Sequence, residues 1–197
     1  MIIIGAKGFA NEILCELLNF LGNGKKNIIF FDDVSTNIDS YTLEGYEILS
    51  SKKDAMEHII NSRDKEFILG LGGPSNRQKL YHEFKDMGGN PFTLISKNST
   101  VGSFNNIIGN GSFIGTGAVI TSNVALGIGV LVNINTSISH DCRIGDFVEI
   151  CPGVNITGKV RIGNNTFIGA GSTILPNIII GKNVVVGAGS LIVENIP

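Results

Sequence analysis

Every sixth residue from Ile108 to Ile192 is isoleucine, leucine or valine, fifteen positions without a failure. That period matches neither the 3.6-residue repeat of an amphipathic helix nor the two-residue alternation of a half-buried strand. It matches a chain coiled into a triangular prism, in which each flat side is a short strand that sends one aliphatic side chain inward. Two residues before each aliphatic, from Ser112 to Ser190, stand residues that are mostly small or β-branched, Ala118, Val124, Thr136 and Cys142 among them. Such residues suit a second inward position near a tight corner. Gly follows the aliphatic at 109, 115, 127, 145, 163, 169, 181 and 187, where the corner demands unusual dihedrals or close approach. Three hexads make an 18-residue coil, and coils stack at roughly 4.8 Å through parallel ladder bonds. The repeat therefore covers almost five coils.

With 197 residues the chain holds one large or two small domains. A net charge of -2 and the lack of a Lys/Arg cluster leave no electrostatic footprint for nucleic acid. Met1-Ile2-Ile3-Ile4-Gly5 has no basic region and only a short apolar run, so neither a signal peptide nor a membrane span is predicted, and a cytoplasmic protein without membrane partners is expected. Cys15, Cys142 and Cys151 form no C-x-x-C. They predict no disulfide framework and no metal site.

Residues 1–95 read differently from 96–197, and two domains are expected with that boundary. Ile2-Ile3-Ile4 is a buried strand, Gly5 to Ala10 a glycine turn, and Ile13, Leu14, Leu17, Leu18 and Leu21 the apolar face of a helix stopped by Gly22. A second strand, Ile28 to Phe31, ends in Asp32-Asp33, and a polar loop runs to about Ser50. A short helix over Asp54 to Asn61, a third strand over Phe67 to Leu71, and a helix with Leu80, Phe84 and Met87 on one face complete the order. Alternating strands and helices imply a half-Rossmann βαβαβ domain, a small parallel sheet covered by helices. Ligands of such sheets bind at the carboxyl ends of the strands, here Gly5 to Phe9, Asp32-Asp33 and Gly72 to Ser75. Gly5-x-x-Gly8-x-Ala10 carries Lys7 where a full dinucleotide fingerprint has glycine, and the acids follow later than usual. The reading is nucleotide-sugar binding, with backbone N–H groups of the turn facing phosphate.

The tandem [LIV]-G-x4 pattern resembles the hexapeptide-repeat acyltransferases, which implies a left-handed parallel β-helix after the α/β domain. Within it, Ile138-Ser139-His140-Asp141-Cys142-Arg143-Ile144-Gly145-Asp146-Phe147, followed by Pro152-Gly153, resembles the sialic-acid O-acetyltransferases and the nucleotide-amino-sugar N-acetyltransferases. Histidine exchanges a proton near neutral pH, and a neighbouring carboxylate favours the protonated product of base action. The resemblance implies His140 as general base, Asp141 as its supporting acid and Asn133 as a polar contact to the acceptor. It further implies Lys7, Gly8, Phe9, Asp32, Asp33 and Gly72 as nucleotide-sugar contacts, and Glu149, Ala170 and Ala188 as positions along acetyl-CoA, bound between subunits of a homotrimer. Glu149 stands where amino-sugar enzymes often carry a second histidine. An ionised carboxylate cannot donate to a thioester carbonyl, so another donor, such as a backbone N–H, is required. Related enzymes also continue past the position of Pro197, which implies a short further tail. Three functions remain open at this stage: N-acetylation of a nucleotide-linked amino sugar for polysaccharide or glycan assembly, O-acetylation of sialic acid, and a silent β-helix used for assembly.

Overall fold

The computed structural model describes residues 1–22, 27–35 and 45–197. They form two units, Met1–Gly72 with Lys79–Phe92, and Gly73–Gln78 with Thr93–Pro197.

The first unit is built on β1 (Ile2–Ile4), whose three side chains are all buried. In chain order follow α1 (Gly8–Leu21), β2 (Ile29–Phe31), β3 (Ile48–Leu49), α2 (Lys52–Asn61), β4 (Glu66–Leu69), α3 (Pro74–Asp86, part of this unit from Lys79 on) and β5 (Asn90–Pro91). The sheet is parallel throughout, in the order β3-β2-β1-β4-β5. Side chains buried on both faces explain the continuous apolar runs of β1 and β2. Gly5, at φ 109°, lets the chain leave β1: a Cβ there would meet the Gly70 carbonyl oxygen at 2.8 Å. On the helical side, Phe84 packs edge-on to Phe31 and tilted against Phe67, at centroid separations of 5.0 and 5.6 Å.

Two expectations shift here. Ile48–Leu49, placed by sequence in a polar loop, forms a strand that pairs with Phe30 and Phe31. The loop's residues 36–44 lie outside the described residues. The buried stripe of α3 is Arg77, Tyr81 and Phe84, while Leu80 and Met87 are half-buried. A reading by apolar periodicity skips this face because its first member is charged.

The second unit is the prism. Seventeen two-residue strands, from Leu94–Ile95 to Leu191–Ile192, form three parallel sheets of six, five and six strands, each pairing with the strand 18 or 19 residues away. The one interval out of step, Val101 to Ile108, is absorbed between Gly102 and Asn106, and register is regular from Ile108 on. The aliphatic of each hexad points inward, and so does the small residue two before it. Ser112, Thr136, Thr166 and Ser172 are fully buried beside Val130, Val148, Val154 and Val160. Burying each isoleucine contributes roughly 1.5–3 kcal/mol, and the shared inner column makes these contributions contiguous. These four inward hydroxyls donate to carbonyls near the corners, Thr166 to Gly181 at 2.8 Å for example.

The glycines after the aliphatics serve close approach. A Cβ on Gly163 would lie 2.6 Å from both the Gly181 carbonyl carbon and the Lys182 nitrogen of the next coil. The left-handed dihedrals fall two residues later. All fifteen positions from 105 to 189 in steps of six have φ between 51° and 72°, and thirteen of them are Asn, Asp or Gly. These are the residues that adopt this conformation most readily. Phe147 and Lys159 are the two exceptions.

Candidate active site

His140 and Asp141 sit at one prism corner, between strands Ser137–Ile138 and Arg143–Ile144. Asp141 is the left-handed residue, at φ 64°, which turns its carboxylate back toward the preceding side chain. His140 Nδ1 lies 2.8 Å from Asp141 Oδ2. Hydrogen bonds from His140 and then Asn123 outweigh the upward effect of burial, and hold the Asp141 carboxyl below its ordinary value. With an ionised carboxylate as acceptor, Nδ1 carries the proton of the neutral imidazole, which leaves the Nε2 lone pair free. The ring lies over Gly158: a Cβ at that position would meet both Cε1 and Nε2 at 2.7 Å. The histidine side chain is exposed.

One coil earlier, Asn123 Nδ2 donates to Asp141 Oδ1 at 2.6 Å. Nothing in the local sequence singles out Asn123. Its signal is the spacing of one coil, 18 residues, before Asp141.

Cys142 is fully buried and inward, its Sγ donating to the Thr157 carbonyl at 3.1 Å. Burial pushes its thiol up, so it is no candidate for a nucleophile. Phe147, at the corner after the next strand, is buried with its ring over Gly129.

Asn133 belongs to the preceding corner of the same coil, before strand Ser137–Ile138, and accepts from the Ile134 amide at 2.7 Å. Ala170 and Ala188 stand at that same corner, one and two coils beyond Pro152, both exposed. They are joined through Gly189 N–H donating to the Ala170 carbonyl at 2.8 Å. Their amides thus form part of one exposed column.

Glu149 is buried on the outward side of its strand. The short segment Gly73–Gln78 covers it: Gly73 N–H donates to Glu149 Oε2 at 2.6 Å, Arg77 Nη2 donates to the Gly129 carbonyl at 3.0 Å, and Asn165 Nδ2 donates to Gln78 Oε1 at 3.0 Å. Burial pulls the Arg77 guanidinium down to about 10, and the charge of Glu149 opposes that pull. Glu149 is therefore engaged within its own chain.

In the first unit, Lys7, Gly8 and Phe9 follow β1, Asp32 and Asp33 follow β2, and Gly72 follows β4. These three strands are neighbours, so the sheet gathers all six residues at its carboxyl edge. Gly8 opens α1, and a Cβ on it would meet nothing within 4 Å. Asp32 closes the turn that follows it, accepting from the Ser35 amide at 2.8 Å and the Ser35 hydroxyl at 2.9 Å. Burial acts to raise its carboxyl, but the bonds from Ser35, Val34 and the Ala6 amide bring it below the ordinary value. Asp33 is exposed. Among the described residues no group of three or more His, Cys, Asp or Glu is arranged to hold a metal ion, and no helix is long and apolar enough to cross a membrane.

These features define a half-Rossmann unit followed in sequence by a left-handed parallel β-helix with an exposed His-Asp pair at a corner. Residues 1–84 match the PglD N-terminal domain, and residues 159–193 match the bacterial transferase hexapeptide (six repeats). The chain belongs to the hexapeptide-repeat sugar acetyltransferases. It is 30% identical over 154 residues to the GDP-perosamine N-acetyltransferase of Escherichia coli O157:H7, a match spanning 77% of this chain and 66% of that relative's length. WeeI from Acinetobacter baumannii AYE superposes with a TM-score of 0.89 at 28% identity, over 100% of this chain and 92% of its own. The acetyltransferase domain of PglB from Neisseria gonorrhoeae FA1090, solved in complex with acetyl coenzyme A, does so with a TM-score of 0.85 at 27% identity, over 100% and 91%.

Proposed function

We propose that this chain is an acetyl-CoA-dependent N-acetyltransferase acting on the amino group of a nucleotide-linked amino sugar, with His140 as general base. The observation that carries the reading is the exposed imidazole held through Nδ1 by Asp141 at 2.8 Å. The curated relative is a GDP-perosamine N-acetyltransferase, which favours an amine acceptor over the hydroxyl of a sialic acid.

His140 Nε2 takes a proton from the sugar amine as the amine nitrogen attacks the acetyl carbonyl. The C–N bond forms, the C–S bond breaks, and the sulfur of CoA leaves to be protonated. Acetyl-CoA supplies the activated acyl group as co-substrate. The column at Ala170 and Ala188 is the proposed track for its pantetheine amides, since successive coils offer backbone groups at regular spacing along an exposed corner. Since Glu149 accepts from Gly73, a backbone N–H is the donor proposed for the thioester carbonyl. In the first unit, the amides of Lys7, Gly8 and Phe9 would receive phosphate at the α1 N-terminus, where Gly8 has open space above it. Asp33 is the acid available to a ribose or base, Asp32 shapes its turn, and Gly72 borders the same edge. His140 and the Ala170 column occupy different corners, an arrangement suited to the homotrimer the family resemblance implies, in the cytoplasm.

Acetyl-CoA at a hundredfold excess over Kd should stabilise the protein by about 2.7 kcal/mol, a rise in Tm of roughly 5–10 °C for a chain of this size. An unchanged melting curve in saturating acetyl-CoA would count against the co-substrate.

A further inference from the structure

We propose that Asn123 is a positioning residue for the base: it holds Asp141 so that the His140 imidazole stays in the one tautomer able to accept a proton. The inference rests on the reading of His140 as general base and extends it by one coil. Asn105, Asn123 and Asp141 stand 18 residues apart in the same corner column, all left-handed, at φ 51°, 54° and 64°. The column is hydrogen-bonded side chain to side chain: Asn105 Nδ2 donates to Asn123 Oδ1 at 2.6 Å, and Asn123 Nδ2 donates to Asp141 Oδ1 at 2.6 Å. Arg143 encloses Asn123 from the flanking face, Nη1 donating to its carbonyl and Nη2 to Oδ1 at 3.4 Å.

Donors on the oxygen side of the Asn123 amide leave its NH2 no choice but to face Asp141. Oδ1 of Asp141 is thereby occupied, and Oδ2 is the oxygen left for His140 Nδ1. This second anchor matters because the His-Asp pair is exposed. Exposed pairs are weak on their own, since water competes for both partners and side-chain freedom is lost in forming them. An Asp141 free to turn would release Nδ1, and the neutral ring would then spend part of its time with the proton on Nε2, the nitrogen that has to accept. Catalytic groups hold their geometry through such supporting bonds.

The variant that isolates this role is Asn123→Gly, because glycine keeps the left-handed corner at no steric cost while removing the amide. Asn123→Asp is the second, replacing the donor by an acceptor that faces another carboxylate. Two readouts are taken: the His140 tautomer by nitrogen-15 NMR of the free protein, with His140→Ala to assign the signal, and kcat and KM with acetyl-CoA and GDP-perosamine. The wild type should show the proton on Nδ1. Both variants should show mixed tautomers and a kcat lower by about tenfold, with KM for either substrate within about twofold, the pattern of a misoriented group and not of lost binding. If the tautomer stays on Nδ1 in both variants, the proposal is wrong, whatever happens to kcat. If His140→Ala itself turns over normally, the base reading fails and this inference falls with it. An inert His140→Ala beside unaltered Asn123 variants removes the inference alone.

Discussion

His140→Ala should lower kcat by about a hundred- to ten-thousand-fold, the range that a positioned general base contributes. Acetyl-CoA affinity should be nearly unaffected, because the imidazole makes its hydrogen bond to Asp141 and rests on Gly158 at an exposed corner, away from the Ala170 and Ala188 column. Loss of rate without loss of binding is the mark of an interaction made only in the transition state. No core contact is removed, so the melting temperature should stay within about 2 °C of wild type. The cysteine beside it gives no bypass, since Cys142 is buried with its thiol pushed up. Steady-state kinetics beside isothermal titration with acetyl-CoA separates the two quantities, and a variant that keeps its kcat would remove His140 from the reaction.

The second large effect is on stability. Glu149→Ala removes the acceptor of the Gly73 amide and leaves the fully buried Arg77 without the charge that opposes its desolvation. Breaking a buried charge partnership from one side costs about 3–5 kcal/mol, a fall in Tm of roughly 10 °C here. Glu149→Gln keeps an acceptor for Gly73 while losing the charge, so it should fall between the two. Chemical denaturation of the three proteins measures both steps. Were Glu149→Ala as stable as wild type, the buried pairing would have no energetic role, and Glu149 would again be open to a role at the thioester.

The core of the prism was legible in the sequence because each hexad buries the same kind of side chain at the same place. Ile138, Ile144 and Ile150 announce three sides of one coil. The corners were equally written out, as Asn105, Gly111, Gly117 and Asn123 and so on in steps of six. That signal is harder to see, because several residue types, Asn and Gly foremost, serve one dihedral and the more conspicuous glycines after the aliphatics serve close approach instead. His140 and Asp141 were readable because neighbours in sequence are here neighbours in space. Asn123 was not, since its bond to Asp141 spans a full coil. Gly73 and Glu149 lie 76 residues apart, and no local pattern couples them. Strand β3 was lost for a third reason: two residues, Ile48 and Leu49, are too few to show a period.

Transfer of an acetyl group to a sugar amine is tested directly by product analysis. Purified protein with acetyl-CoA should be offered GDP-perosamine, UDP- and dTDP-linked 4-amino sugars, and free and CMP-linked sialic acid, with free CoA and the acetylated product followed together by mass spectrometry. Stoichiometric release of CoA and an acetamido product from a nucleotide-linked amino sugar is expected, abolished in His140→Ala. Acetylation of sialic acid alone, or CoA release that His140→Ala leaves intact, would contradict it.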